Sequence, residues 1–587
     1  MSIINKIVRM VSPLRGDGRG AKVSPLWGDK RGVAITELVL VMVLLVFLNL
    51  IFSGLFFRVD MTKEKRYSLS EASKKLARKV DNLMFVKVYL EGEFPAGFKR
   101  LSRATKEMLD EFSIYSKGNI QYEFIDPFKD ANGKKTNSIV EELGAKGLQP
   151  TSVQVKKDDE LSQKIIIPGA IFYYKGLEIS ANFLKQQFGD APEAVINSSI
   201  ELLEYEIANV LRTATEIHAK KIAFLDDHGE LGQWEVADAD AELKKYYDVS
   251  RIPLSMVPPQ ELSKYAGLVI AKPTLPFGEF DKFKLDQYVM NGGKILWLIE
   301  TQIAEMDSIR KDQSFMTGSY DTKLDDLLFR YGVRVNPNLV QDAQCNAIPI
   351  LSSMKNGMPQ QKLLPWMFFP VASPTSNHPV VKNLDNVWFQ FASSIDTTST
   401  KEFKKTVLLH SSPYSRVVAA PVKVDLNLAR VNPEPSMFNT GGNYILALLL
   451  EGTFHSVFQY RHGAISNPEL PFKDKVENNK MIVVSDGDVI RNQRKKSTGE
   501  IFPLGYDRYT QQQFGNKRFI LNCMDYLCDD SGIIEVRSKE ITLRLLNKAK
   551  VKAEKLHWQL INMIVPIVLI ILFGFGNNYW RRRKYAM

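Results

Sequence analysis

Two long uncharged apolar runs, one near each end of the chain, constrain its fold more than any other feature. The first, Leu38 to Phe57, reads LVLVMVLLVFLNLIFSGLFF, and the second, Trp558 to Gly576, reads WQLINMIVPIVLIILFGFG. A helix rises about 1.5 Å per residue, so either run covers roughly the 30 Å hydrocarbon core of a bilayer. Membrane helices are therefore expected over residues 34–57 and 558–578. The first is too long for a signal-peptide core, and Phe56-Phe57-Arg58 offers no small-x-small cleavage site. Trp558, Tyr579 and Trp580 bracket the second run as interfacial aromatics do. Two spans place both termini on one side and the whole intervening chain on the other.

Basic residues are nearly balanced across the spans, but the positive-inside bias acts mainly through short segments. The short tails, with Lys6, Arg9, Arg15, Arg19, Lys22, Lys30 and Arg31 before the first run and Arg581 to Lys584 after the second, are read as cytoplasmic. A net charge of +11 is of the sign that nucleic-acid partners attract. Residues 1–31 hold seven basic against two acidic groups and Arg581–Lys584 adds four more, leaving +2 for the rest. The basicity belongs to the membrane tails, and no nucleic-acid face is expected.

Residues 1–33 form a leader with a tandem repeat, VSPLRGDGRG at Val11–Gly20 and VSPLWGDKRG at Val23–Gly32. Gly, Pro and charge dominate it, so disorder is expected, and the RGD at Arg15–Asp17 is read as part of the repeat. Residues 58–190 alternate strand and helix patterns. Ser70 caps a helix to Val80, Phe85–Leu90 is a strand, Phe98–Tyr115 a helix and Ile120–Ile125 a strand parallel to the first. A helix at Ile139–Gly147 and strands at Ser152–Lys156 and Lys164–Tyr174 complete an order that resembles a thioredoxin-like fold without its redox cysteines. Gln149-Pro150 is a candidate cis peptide. Ser198-Ser199-Ile200-Glu201 reads as a capping box opening a connector helix within 191–217.

Residues 218–530 again alternate strands (Lys221–Leu225, Gly267–Ala271, Lys294–Ile299, Met481–Val484) with helices (Ala237–Tyr246, Asp281–Val289, Asn516–Leu527). The fold class expected is α/β: a thioredoxin-like domain followed by a doubly wound, flavodoxin- or amidotransferase-like domain with β-rich additions. A basic stalk over 531–557 leads to the second span, and 579–587 is a cytoplasmic tail. Cys345, Cys523 and Cys528 match neither a CxxC pair nor a zinc spacing and are read as core residues.

Two acidic turns are candidate sites. Asp226, Asp227, His228 and Glu230 follow a strand, where α/β sheets keep their ligands; Asp486 and Asp488 follow another. Carboxylates beside an imidazole suit acid–base or metal chemistry. Neighbours on one turn rarely converge on an ion, so structural turns are expected, with no cofactor and no metal. There is no GxxxxGK[ST] for a P-loop and no GxSxG or cysteine elbow, so no enzyme activity is expected.

Several stretches together resemble the gliding-motility-associated ABC transporter auxiliary proteins of Bacteroidota, the GldG type. They are Arg66–Ser70, Phe94–Leu101, Gly118–Pro127, Phe224–Leu231, Asp286–Lys294, Asp486–Asn492 and the closing apolar run, a resemblance spanning 58–587. Where that family would read Gly-His-Gly-Glu, this chain has Asp227-His228-Gly229-Glu230. The resemblance implies a two-pass protein of a bacterial inner membrane with a large periplasmic portion, a separate permease and a separate cytoplasmic ATPase. It makes the chain a non-catalytic accessory subunit. The alternative is a membrane-anchored hydrolase or ligand-binding receptor that uses the Asp226–Glu230 turn. Polar groups in lipid usually face protein, so Asn49, Ser53 and Gly54 on the first span and Gln559, Asn562 and Gly574 on the second are the expected contact points for a permease.

Overall fold

The computed structural model of the chain describes residues 38–47, 68–129, 133–157, 160–184, 192–215, 220–312, 314–355, 358–399, 402–431, 434–438, 441–460, 472–495, 497–529, 531–536 and 548–585. It divides into two compact units, Met1–Thr62 and Lys63–Met587. In the first, the described residues form one apolar helix, Leu38–Phe47. The leader repeat and Asn49, Ser53 and Gly54 lie outside the described residues.

The second unit opens with helix α1 (Glu71–Lys79), strand β1 (Met84–Val88), helix α2 (Ala96–Tyr115) and strand β2 (Ile120–Phe124). Ser70 does cap α1, its side chain accepting the Ser73 N–H. After α3 (Gly133–Ala145) and a β3–β4 hairpin (Thr151–Lys157, Glu160–Ile166) come β5 (Gly169–Tyr174) and β6 (Leu177–Asn182). The sheet order is β2-β1-β5-β6. The βαβ pair is parallel, and β5 and β6 run antiparallel to their neighbours. Helix α4 (Pro192–Thr215) packs Ile196, Leu203, Ile207 and Leu211 into the same core as Leu101, Phe112 and Phe172.

The capping box does not open this helix. Ser198 and Ser199 lie inside it, where their hydroxyls donate back to the Ala194 and Val195 carbonyls. Pro192 stands at its start, where a missing N–H costs nothing. Among the described residues the cis peptide is Ala420–Pro421, not Gln149–Pro150.

The third set of elements is β7 (Lys221–Leu225), α5 (Ala237–Leu243), β8 (Asp248–Ile252), α6 (Pro259–Leu262), β9 (Gly267–Ala271), α7 (Glu279–Met290), β10 (Lys294–Leu298), α8 (Asp325–Arg330) and β11 (Val333–Val335). A long hairpin follows, β12 (Cys345–Lys355) and β13 (Met358–Ala372), then β14 (Ile395–Thr397), β15 (Phe403–His410), β16 (Ile445–His455), β17 (Lys475–Val484) and α9 (Asn516–Cys528). Nine strands form one sheet in the order β11-β14-β16-β17-β10-β9-β7-β8, with β15 added on β16. Its five strands β8-β7-β9-β10-β17 are parallel. In chain order they read 2-1-3-4-5, so connections leave β7 and β9 in opposite directions.

Helices cover both faces. Ile222, Phe224, Val269, Leu296 and Val484 pack with α5 and α9, while Leu225, Leu268, Ile270, Trp297 and Val483 pack with α7 and α8. Burial on both sides explains why GLVIA and KILWL are near-continuous apolar runs. The β12–β13 hairpin carries its own core around Trp366, Phe368 and Phe391.

The chain then returns to the first module. In the short helix α10 (Ile533–Val536), at the head of the expected stalk, Ile533 and Val536 join the core of α1 and α4. Helix α11 (Lys548–Tyr585) follows, and its segment Ala553–Arg583 is long and apolar enough to cross a membrane. Gln559, Asn562 and Gly574 lie on it, all exposed.

Candidate functional site

The order 2-1-3-4-5 creates a crevice beyond the carboxyl ends of β7 and β9, the usual ligand position in open α/β sheets. Both predicted acidic turns lie along this edge, one after β7 and one after β17.

The first turn is held by backbone groups. Glu230 Oε2 accepts the N–H groups of Asp227 and His228 at 3.0 and 2.7 Å, and Asp227 Oδ2 accepts that of Ser255 at 2.7 Å. The His228 carbonyl accepts from Thr274 and Leu275. Gly229 sits at φ +72°, and a Cβ there would collide with Thr274. His228 is buried and its ring lies flat on Phe277, centroids 3.8 Å apart and planes 1° from parallel. Its Nε2 faces Asp281 Oδ2 at 3.3 Å and its Nδ1 faces Asp227 Oδ1 at 2.8 Å. Burial works to raise the Asp227 carboxyl, but hydrogen bonds from Ser255 and the nearby His228 prevail and hold it below its ordinary range. Asp226 is not part of this group: it points to the surface and pairs with Arg251 at 3.2 Å.

The second turn is a buried charge cluster. Asp486 accepts the backbone N–H of Gln390 at 2.6 Å and that of Asp488 at 2.7 Å. Lys272, which directly follows β9, inserts its ammonium 2.8 Å from Glu300 and 2.9 Å from Asp488, all three side chains at most 6% exposed. Lys272 adopts φ +54°. A Cβ at residue 487 would collide with its side chain, so the turn needs Gly487. Burial first, and then the Asp488 charge, push the Asp486 carboxyl up to about 8 and drive Glu300 well above its usual range. Arg491 closes the cluster, 2.7 Å from Glu235 and 3.3 Å from Asp488.

Beside it opens a cleft of about 560 Å³, lined by Trp234, Glu305, Phe391, Asp488, Arg491 and Arg494 among others. Its volume is within the range of small-molecule sites.

Sequence reasoning thus located both turns but missed Lys272, Glu300 and Asp281. Lys272 and Glu300 had a readable signal, since each is a charged residue at the carboxyl end of a buried strand. Asp281 had none, because it meets His228 across 53 residues of chain. All three cysteines are free, and Cys523 and Cys528 are buried.

The model of the ABC transporter auxiliary family, described as an ABC-type uncharacterized transport system, matches residues 219–523. A domain of unknown function matches residues 63–173. An uncharacterized protein of Borreliella burgdorferi is 22% identical over 555 residues, covering 93% of this chain and 97% of its own length. Among solved structures, an mmIFT52 N-terminal domain aligns with TM-score 0.31 and 13% identity over 52% of this chain and 97% of that one. A putative ThuA-like protein of Bacteroides uniformis aligns with TM-score 0.25 and 12% identity over 53% and 91%.

Proposed function

The chain belongs to the ABC transporter auxiliary family, and from that premise we propose that it is a non-catalytic, membrane-anchored accessory subunit of a bacterial ABC transporter. The observation that carries this reading is the joining of that family's domain to an exposed apolar helix, Ala553–Arg583, within one chain. The sequence contains no P-loop, so ATP hydrolysis falls to a separate cytoplasmic ATPase, and transport to a separate permease. The GldG-type role in gliding or envelope export and the thioredoxin-like assignment of the first module belong to the same proposal. The parallel βαβ unit followed by an antiparallel hairpin supports the latter.

The two-pass arrangement, with both tails cytoplasmic and 58–557 periplasmic, is tested by reporter fusions after Arg66 and at the C-terminus. They are expected to report opposite sides, and equal signals refute it.

Helix α11 supplies the docking face. Gln559, Asn562 and Pro566 recur at i, i+3 and i+7, so they share one side of the helix. Polar groups on that side favour a neighbouring helix over acyl chains. Asn562→Leu, combined with Ser53→Leu, is expected to lower recovery of the permease in mild detergent severalfold while the outer domain stays folded. Full recovery of the complex with the double variant refutes the docking.

A ligand-binding receptor is the second reading, favoured by the cleft beside Asp488 and Arg491.

A further inference from the structure

The two acidic groups on the carboxyl edge of the sheet differ in one respect. Around Glu300 and Asp488 the chain provides its own cation, the Lys272 ammonium. Around Asp227 and Glu230, no described lysine or arginine forms an ion pair; their nearest basic neighbour is the His228 imidazole.

Each carboxylate in this second group divides its oxygens between two roles. Glu230 Oε2 and Asp227 Oδ2 are taken by backbone N–H groups. Glu230 Oε1 and Asp227 Oδ1 are buried and accept no hydrogen bond from any described group, and the same is true of His228 Nδ1. His228 Nδ1 lies 2.8 Å from Asp227 Oδ1 and 3.8 Å from Glu230 Oε1, and the three residues can each offer one ligand atom within 4.8 Å of the others. Asp227 Oδ1 comes within 2.8 Å of His228 Nδ1 without the geometry of a hydrogen bond, as two atoms do when both face a common third.

The imidazole is also oriented for this. Asp281 at Nε2 places the ring proton there, which leaves the Nδ1 lone pair directed at the carboxylates. Phe277 fixes the ring plane by stacking. The Glu230 side chain is fully buried and that of His228 is 7% exposed, whereas Asp227 at 18% leaves a way in from solvent.

We propose that Asp227, His228 and Glu230 form a binding site for one divalent transition-metal cation. Two carboxylates balance a dication. One imidazole nitrogen with two carboxylate oxygens suits Zn²⁺ or Mn²⁺ better than Ca²⁺ or Mg²⁺, which take oxygen alone. Three protein donors leave a coordination position open to solvent beside Asp227. Asp281 is a positioning residue that acts through the His228 tautomer. The site lies at the switch point of the sheet, where the fold places ligands, and it does not depend on docking to a permease.

The test uses the full chain in detergent, purified without a histidine tag and stripped with chelator. Isothermal titration with Zn²⁺ is expected to give one ion per chain, and Co²⁺ a visible d–d band. Glu230→Gln keeps an oxygen for the Asp227 and His228 N–H groups, and Asp227→Asn keeps one for Ser255, so either variant preserves the turn. Each is expected to abolish stoichiometric binding. Asp281→Asn is expected to weaken it about 10–100-fold. Zn²⁺ binding of undiminished strength in both ligand variants, meaning an adventitious ion only, overturns the proposal. So does the absence of a one-to-one isotherm in the parent chain, or equal affinity for Mg²⁺.

Discussion

Replacing Lys272 with methionine is expected to cost about 3–5 kcal/mol of stability at neutral pH, the usual result of removing one partner from a buried ion pair. Methionine retains much of the apolar stem, so the loss isolates the ammonium. Its removal strands Glu300 and Asp488, both at most 6% exposed, beside Asp486. The pH dependence distinguishes this from a simple packing defect. The Asp486 carboxyl titrates near 8 when folded, above its ordinary 3.8, so the folded state holds a proton that the unfolded chain has lost. Stability contributed by this group therefore falls as pH rises from about 4 to 8 and is level above that. Without the Lys272 charge the neighbouring acids move further up, so the variant's deficit should grow between pH 5 and pH 8. Thermal unfolding followed by tryptophan fluorescence measures it. A deficit that stays flat across that range would mean the ammonium does not neutralise the carboxylates.

How far the sequence could be read depends on how local the deciding contact is. The Ser70 cap, the Asn516–Cys528 face and the buried runs of β7, β9 and β10 were legible because each is decided within a few residues. The hairpin β12–β13 was not. Pro349, Pro359, Pro365 and Pro370 interrupt it, and proline argues locally against a strand interior. Strand β6 was missed because LEISAN has one fully buried position and so shows little apolar pattern. The Ser198–Glu201 motif carried a true local signal that tertiary packing overrode, since Ile196 upstream also buries into the first module's core.

The candidate site divides in the same way. A charged pair after a strand flags the turn, yet its chemistry depends on which oxygen each carboxylate has left. Ser255 and Asp281, brought in by other elements, help decide that. Spacing alone favoured a plain structural turn for Asp227, His228 and Glu230. Only the three-dimensional placement of Nδ1, Oδ1 and Oε1 distinguishes them from the self-neutralised group around Lys272.

Arg212→Met is expected to have an effect of similar size, about 3–5 kcal/mol, and a different consequence. Arg212, near the end of α4, is 4% exposed and reaches Asp525 on α9 at 3.2 Å. Its guanidinium lies over the Tyr246 and Tyr247 rings, 5.1 and 6.0 Å from their centroids. The Tyr247 hydroxyl donates to Asp525 at 2.7 Å, and that of Tyr205 reaches its other oxygen at 3.3 Å. A charged, hydrogen-bonded joint thus ties the first module to the α/β module, reinforced by Arg518 and Glu206 at 3.2 Å. Helix α10 adds to the same joint, with Ile533 and Val536 in the first module's core and Ile534 in the core under the sheet. In Arg212→Met the buried Asp525 loses its cation, and limited proteolysis should separate the modules at protease levels the parent chain resists. Adding Asp525→Asn removes the stranded charge and should restore part of the loss, with a coupling energy of about 0.5–3 kcal/mol. If the two changes are instead additive, or the proteolytic pattern is unchanged, the joint is held by apolar packing and the ion pair contributes little to it.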